Sequence, residues 1–563
     1  MPTPRRDRLE DAAVPDEVPE EVLRTPLVLR LLDRADDARP AFTHIDCSGG
    51  DMAERTLTWS ELLVRVQAVA AALNGRIRQG ARVAIVARQD LSYVAAFFGA
   101  LYAGAVAVPL SAPDLRAQRE RLVGALNDCD AEVWLTADAI ADRVREFAET
   151  EDVARPRAIL AVDTLPAVAV EPAPLTPDTP AYLQYTSGTT RAPAGVVITH
   201  RALAAACWQV CAAYDVDDGT TCVGWIPFFH DMGLVQLLAG TVHSGGRSVF
   251  LAPLEFIRRP ARWLTLMSAY PKTLTAAPNF AYDLLVEAVP EARRRAFDLS
   301  GVHIALNGSE PIRAATVEAF LDAYEPHGFP RNAYRPSYGL AEATVYVASG
   351  GDTNGPVVTR VEDRSLVAVG RPRGQRIRVV DPDTACPVPD GATGEIWVRG
   401  PNVAAGYWRR PELTAEVFDA HVDGEGGWLR TGDLGWWDGE QLYVTGRRKD
   451  LIIVDGRNHY PQDVEDTVAA AHPVLGRDRV AAFAVDGDTG EALVVVAERA
   501  RGAAAAEVDE DEVARAAARA VVAAHDVALH TFLLVKPGAL PRTSSGKVAR
   551  SAARTRFWTS PAG

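Results

Sequence analysis

Several features that would assign this chain at a glance are missing or scarce. There is no Walker A loop: the nearest Gly-Lys pair, Gly546-Lys547, is followed by Val548, and Pro541 stands where the first glycine is needed. The six cysteines (Cys47, Cys129, Cys207, Cys211, Cys222 and Cys386) are scattered. Cys207 and Cys211 form the one close pair, and no second pair or histidine cluster completes a zinc site. Free, mostly buried thiols in a reducing cytosol are therefore expected. Basic residues are outnumbered, 59 Lys and Arg against 74 Asp and Glu, for a formal charge of −15. That balance argues against a nucleic-acid binder, which needs a basic stripe to neutralise phosphates. An enzyme acting on a nucleotide can still be acidic overall, because only its cleft must be positive.

Residues 1–25 are charged and proline-bearing, lack a secretory signal and read as a flexible leader, so a cytoplasmic protein is expected. The longest apolar run, Tyr93 to Leu110, has the length of a membrane span. It is rich in Ala and Gly, contains Pro109 and lacks flanking basic anchors, so it reads instead as a buried helix turning into a buried strand. Internal repeats are absent, as is low complexity beyond an Ala-rich helix at 509–524.

What is present is a long chain of ordinary globular composition. At 563 residues it exceeds one core and implies two to four structural units. Thr58-x-x-Glu61 is a capping box ahead of a helical pattern. Ala81–Ala87, Ala105–Leu110, Glu132–Thr136 and Ala158–Val162 read as strands, with a helix at Ser92–Leu101. Strand–helix alternation of this kind predicts doubly wound parallel sheets. It continues beyond the Pro-rich linker Leu165–Pro180, with strands at 246–253 and 301–308. After Gly370, alternating strands separated by turns predict a β-rich subdomain spanning 370–446. A new unit begins after a boundary placed at Gly446–Asp450, with a helix from Pro461 to Ala471 and a hairpin around Asp486–Gly490. The expected fold is α/β: a large N-terminal domain (26–446) plus a small, mobile α+β C-terminal domain (447–563).

Between the linker and the second half of the large domain lies Tyr185–Val196, YTSGTTRAPAGV. Thr186, Ser187, Gly188, Thr189, Thr190 and Arg191 supply four hydroxyls, one glycine and one cation in succession. Such a loop can wrap a phosphate chain, since glycine permits close backbone approach and the hydroxyls donate without bulk. On composition alone an ordinary surface turn is the plainer account.

Further motifs come in order: WIPFFHDMGL (225–234), NGSEPI (307–312), SYGLAEAT (337–344), GEIWVRGPNVAAGYW (394–408), WLRTGDLG (428–435), GRRKDLIIVDGRNHYPQDVE (446–465) and PRTSSGKVAR (541–550). With the loop, this set resembles the acyl-activating adenylate-forming superfamily of acyl-CoA synthetases, adenylation domains and luciferases. The likeness spans roughly residues 40 to 550, and its flavour is nearest that of the fatty acyl-AMP ligases.

The resemblance implies that ATP and a carboxylic acid, fatty or otherwise lipophilic, form an acyl-adenylate with Mg²⁺. The acyl group then passes to an acyl carrier protein, or alternatively to coenzyme A. It further implies β- and γ-phosphate contacts for Thr186–Thr190, with Arg191 supplying a positive charge where many relatives have a lysine at Ala194. Glu342 becomes the Mg²⁺-associated carboxylate, although a solvated Glu at a helix start is the plainer reading of the residue alone. Tyr338 and Gly339 would meet adenine, with Gly308, Ser309 and Glu310 along the base's edge; a core aromatic competes for Tyr338. Asp433 would bind the ribose hydroxyls and Arg447 the ribose or phosphates. Lys547 would bridge the attacking carboxylate and the α-phosphate, and Lys449 would be the hinge of the small domain. His230 would lie near the acyl carboxylate or gate its pocket, and Trp225, Phe228 and Phe229 would line the acyl tunnel. For all four, core packing is an equal alternative.

One departure bears on the acceptor. Fatty acyl-AMP ligases carry an insertion after the YGLAEAT motif, linked to restricting the small domain and rejecting coenzyme A. Here the stretch Val345–Val367 is short.

Overall fold

The computed structural model describes residues 17–114, 116–185, 194–351, 354–361, 364–454, 457–487, 490–500, 508–543 and 546–558. Two compact units emerge. The first takes most of the chain to Thr431 plus Trp436–Tyr443, and the second takes Gly432–Gly435 and the chain from Val444 onward.

In the first unit, short β-branched runs flanked by helices assemble two largely parallel sheets. One has six strands in the order Ala158–Ala161, Val133–Thr136, Arg82–Ala87, Val106–Ser111, Pro180–Tyr185 and Gly195–Thr199. Its centre, Arg82–Ala87, is buried throughout, because helices cover both faces and leave no polar side. Even Arg82 is spared water: its guanidinium donates to the Cys129 and Asp130 carbonyls, each at 2.9 Å. The apolar run resolves into the helix Leu91–Tyr102 and the strand Val106–Ser111. No helix among the described residues is long and apolar enough to cross a membrane.

The second sheet has eight strands, ordered Ala348–Ser349, Tyr334–Tyr338, Val302–Asn307, Thr273–Ala277, Thr221–Gly224, Arg247–Leu251, Pro40–Asp46 and Ala53–Thr58. Its antiparallel edge pairs Pro40–Asp46 with Ala53–Thr58. Thr58 then caps the helix Trp59–Leu73 through a reciprocal box, with its oxygen 3.2 Å from the Glu61 amide and its own amide 2.9 Å from Glu61 Oε2. A third, antiparallel sheet gathers Val358–Val361, Arg364–Gly370, Leu442–Arg447, Glu425–Trp437, Gly394–Arg399 and Arg376–Val380, with Ala420–Val422 beside Glu425–Trp437.

The second unit folds around the strands Val480–Gly487, Gly490–Glu498 and Leu529–Val535. Period-two alternation sorts its core. Ala482, Val495 and Ala497 meet Val464, Val468, Val513 and Val521 on one face, while Phe483, Val494 and Val496 meet Leu540 and Ala553 on the other.

Two expectations change. Within the leader expected to be flexible over 1–25, Glu20–Arg24 is helical, and Val18 and Val22 are buried against Ala204 and Ala205. Burial of two valines supplies roughly 3 kcal/mol or more, enough to order a short segment. The second unit begins at Val444 and also takes in Gly432–Gly435, where the sequence reading placed one boundary at Gly446–Asp450. All six cysteines are free, five of them buried, and burial pushes the Cys129 and Cys222 thiols up to about 12, so they are inert.

Candidate active site

Two neighbouring parallel strands of the large sheet, Val302–Asn307 and Tyr334–Tyr338, end side by side, with Asn307 in register with Pro336. Open α/β sheets place ligands beyond such carboxyl ends. The chain leaves the first through Gly308-Ser309-Glu310 and the second through Gly339. Both turns allow only bare backbone. A Cβ on Gly308 would lie 2.8 Å from the Ser337 carbonyl oxygen, and one on Gly339 would lie 1.5 Å from that of Val345. Ser309 and Val345 hold positive φ, 72° and 76°, and for a β-branched valine that is a strained conformation. The turns are anchored from below. Asn307 Nδ2 donates to Asn279 Oδ1 (2.9 Å) and Tyr334 Oη (2.8 Å), and Glu310 Oε1 accepts from the Asn279 amide (2.9 Å). One Glu310 oxygen therefore serves the start of the helix Asn279–Ala288.

Gly308, Ser309, Ser337 and Gly339 line one side of a pocket. Its other walls are Val210 and Tyr214 from the helix His200–Tyr214, Asp231, Met232, Val235 and Gln236, and Leu306, Val345 and Tyr346. Tyr338 is outside this lining and is only 8 % exposed.

The segment before Asp231 is tied down by two glutamines. Gln184 Nε2 donates to the Phe229 carbonyl at 2.9 Å, and Gln89 accepts from the Phe228 amide at 3.1 Å while donating to the Leu251 carbonyl. His230 Nδ1 lies 2.7 Å from Asp231 Oδ1, which also accepts from the Met232 amide at 2.7 Å. Nδ1 also accepts from the Met232 amide at 3.3 Å, so the His230 side chain caps the turn Asp231–Gly233.

For the aromatic residues weighed between acyl tunnel and core, the structure gives the surroundings. Trp225 stacks on Phe256, with centroids 4.1 Å apart and planes 11° apart, and meets the edge of Trp263. It is a core residue, as is Phe228. Phe229 is half-buried and does not line the pocket, and neither does His230. The lining comes instead from the residues just after His230, where Leu234–Ala239 forms a wide helical turn and the Gly240 amide reaches back five residues to the Val235 carbonyl. Their signal in the sequence was the spacing of Met232, Val235 and Gln236, which puts three side chains on one helical face. That pattern identifies a face but not the cavity it borders.

Glu342 sits in a short 3₁₀ turn, Ala341–Ala343. Its Oε1 accepts from the Tyr407 hydroxyl at 2.7 Å, and its carbonyl accepts from the Ala404 amide at 2.9 Å. Among the described residues no group of three or more His, Cys, Asp or Glu could hold a metal ion. A single fixed, half-buried carboxylate nevertheless suits Mg²⁺, which retains waters and takes one or two carboxylates together with substrate phosphates.

The second unit carries the remaining candidates. Asp433 is buried, and its Oδ1 accepts from Arg447 Nε at 2.9 Å. Lys449 is exposed in the 3₁₀ turn Arg448–Asp450. Lys547 sits in a turn less slack than its Ser/Gly composition suggests. Its amide donates to Thr543 Oγ1 (3.2 Å), its carbonyl accepts from the Thr543 amide (2.8 Å), and Gly546 supplies the φ of 90° that the turn requires. Arg550 then grips Glu465 with two bonds of 2.6 and 2.7 Å. Thr186, Ser187, Gly188, Thr189, Thr190 and Arg191, the expected phosphate loop, lie outside the described residues.

Comparison with known proteins places this geometry. Residues 32–408 match the model of the AMP-binding enzymes, and residues 449–561 match that of the Disco-interacting protein 2-like AMP domain. The putative fatty-acid–CoA ligase FadD21 of Mycobacterium tuberculosis is 40% identical over 92% of this chain and 94% of its own length. The long-chain-fatty-acid–AMP ligase FadD26 of Mycobacterium marinum is 39% identical over 94% and 96%. Among solved structures, one from a study of fatty acyl-adenylate ligases of E. coli and L. pneumophila superposes with a TM-score of 0.83 at 31% identity, covering 94% of this chain and 97% of that one. The L. pneumophila fatty acyl-adenylate ligase in complex with acyl adenylate and pyrophosphate gives 0.72 at 30%, over 96% and 98%. The chain belongs to the AMP-binding enzymes and is an adenylate-forming ligase.

Proposed function

We propose that this enzyme condenses a lipophilic, fatty-type carboxylic acid with ATP to an acyl-adenylate and then delivers the acyl group to the phosphopantetheine thiol of a carrier protein in the cytoplasm. The observation that carries the proposal is the pocket itself, in which apolar Val210, Met232, Val235 and Leu306 meet the bare backbone turns at Gly308 and Gly339. It offers an acyl chain an apolar wall beside a surface that a nucleotide can approach closely.

In the reaction an acid carboxylate oxygen bonds to the α-phosphorus as the bond to pyrophosphate breaks. Two anions must be brought together, so positioning and charge neutralisation dominate catalysis. In this reading Lys547 places an ammonium between carboxylate and α-phosphate, and Asp433 and Arg447 hold the ribose. His230 orients the acid's carboxylate, and Thr186 to Arg191 hold the outgoing phosphates. Glu342, fixed by Tyr407, is the carboxylate that would hold Mg²⁺, which when bound supplies positive charge at the phosphate oxygens. Lys449 serves as the hinge between half-reactions. The fatty-acid–AMP ligase names of relatives such as FadD26 and FadD32 support the carrier-protein route.

Coenzyme A is the second reading for the acceptor. The short Val345–Val367 stretch favours it, as does the fatty-acid–CoA ligase name of the FadD21 relative. The test is a product assay with ATP, Mg²⁺ and a panel of acids, offering coenzyme A and a pantetheinylated carrier protein in parallel. Discharge onto the carrier alone is the expected result. Efficient acyl-CoA formation transfers the assignment to the second reading, and no pyrophosphate exchange with any acid refutes both.

A further inference from the structure

The pocket is not uniformly apolar. Gln236 is 6 % exposed, and its Nε2 is buried without a hydrogen-bond partner among the described residues. An amide left so is destabilising. The helix itself makes no use of it, since the wide turn is closed by backbone bonds. The side chain borders the cavity. Tyr214, which borders the same cavity, is already engaged: its hydroxyl lies 2.8 Å from Ser337 Oγ, and Ser349 bonds it as well. The cavity thus offers one unused donor amid Met232, Val235 and Leu306.

We propose that Gln236 makes this pocket select acids whose chain carries a hydroxyl or keto oxygen over plain alkanoic acids of the same length. Either oxygen accepts from Gln236 Nε2. A methylene at that place leaves the amide desolvated and unpaired, which is the situation in which binding sites discriminate most strongly. This selectivity rests on the adenylation reading above.

The experiment is ATP–pyrophosphate exchange by the intact protein with matched acids: an alkanoic acid and its hydroxy and keto derivatives, the oxygen moved along the chain. At least one derivative is expected to exceed the parent in kcat/KM by about tenfold or more, one unmade buried hydrogen bond in such a site. Gln236→Leu should bring that ratio close to parity while the KM for ATP stays put. A role confined to stability would change the melting temperature and leave the ratio alone. A parent acid that outperforms every derivative in the unmodified protein overturns the inference without recourse to a variant, as does an unchanged ratio in Gln236→Leu. Exchange with no acid at all defeats the adenylation reading as well, so the two failures are distinguishable.

Discussion

Acid should unfold the first unit through its histidines, and His200 allows the effect to be isolated. This residue opens the helix His200–Tyr214, whose far end supplies Val210 and Tyr214 to the pocket. It is 1 % exposed, and neither ring nitrogen has a partner among the described residues. Burial alone pushes its pKa down from 6.5 to about 4. The unfolded chain takes up a proton as pH falls through 6.5, whereas the folded chain refuses it until about 4, so stability is lost across that window. Between about pH 7.5 and about pH 5 the loss at His200 is about 2 kcal/mol. His243, also pushed down to about 4 by burial, adds a similar amount. Asp90 acts in the opposite sense. Burial raises it to about 6, so it takes up a proton in the folded state first and returns roughly 1 kcal/mol. In His200→Leu the acid loss should shrink by about 2 kcal/mol relative to the unmodified protein. Urea unfolding monitored by tryptophan fluorescence is the appropriate assay, because of the eleven tryptophans only Trp558 lies in the second unit. Identical pH dependence in the two proteins would refute the reasoning.

Two further outcomes concern the reaction. Lys547→Ala should lower pyrophosphate exchange by about a hundredfold or more while leaving the circular dichroism unchanged, because the amide and carbonyl of Lys547 hold the turn; normal exchange would remove this lysine from the mechanism. Gly339→Ala drives a methyl into the Val345 carbonyl, which has only backbone to yield, so exchange should fall by about a hundredfold in a protein that still folds; activity within about twofold of normal would show that the loop relaxes at little cost.

Much of this architecture could be read from the residues. The strand Arg82–Ala87 and the helix Leu91–Tyr102 were legible because a segment buried on all sides tolerates little but apolar side chains. The strand ending at Asn307 was legible too, whereas the parallel strand Tyr334–Tyr338 beside it was not read from the residues. The edge strand Ala53–Thr58 was not foreseen, since AERTLT is largely exposed and its pattern is that of a polar loop. Trp225 was left between core and tunnel for a different reason. An aromatic residue beside a motif signals burial, and only its three-dimensional neighbours, Phe256 and Trp263, decide between core and cavity. Gln236 shows the reverse, a polar residue that draws notice by the hydrogen bond it lacks among the described residues.

The wide turn at Leu234–Ala239 is a stretch of helix with one residue to spare. Deleting a single position there would restore ordinary four-residue spacing without breaking the helix, and the residues before the cut would rotate by about 100° relative to those after it. Met232, Val235 and Gln236 would leave the cavity together and other side chains would take their places. The lining of the pocket could therefore change through a length difference of one codon, with no substitution in the residues that line it.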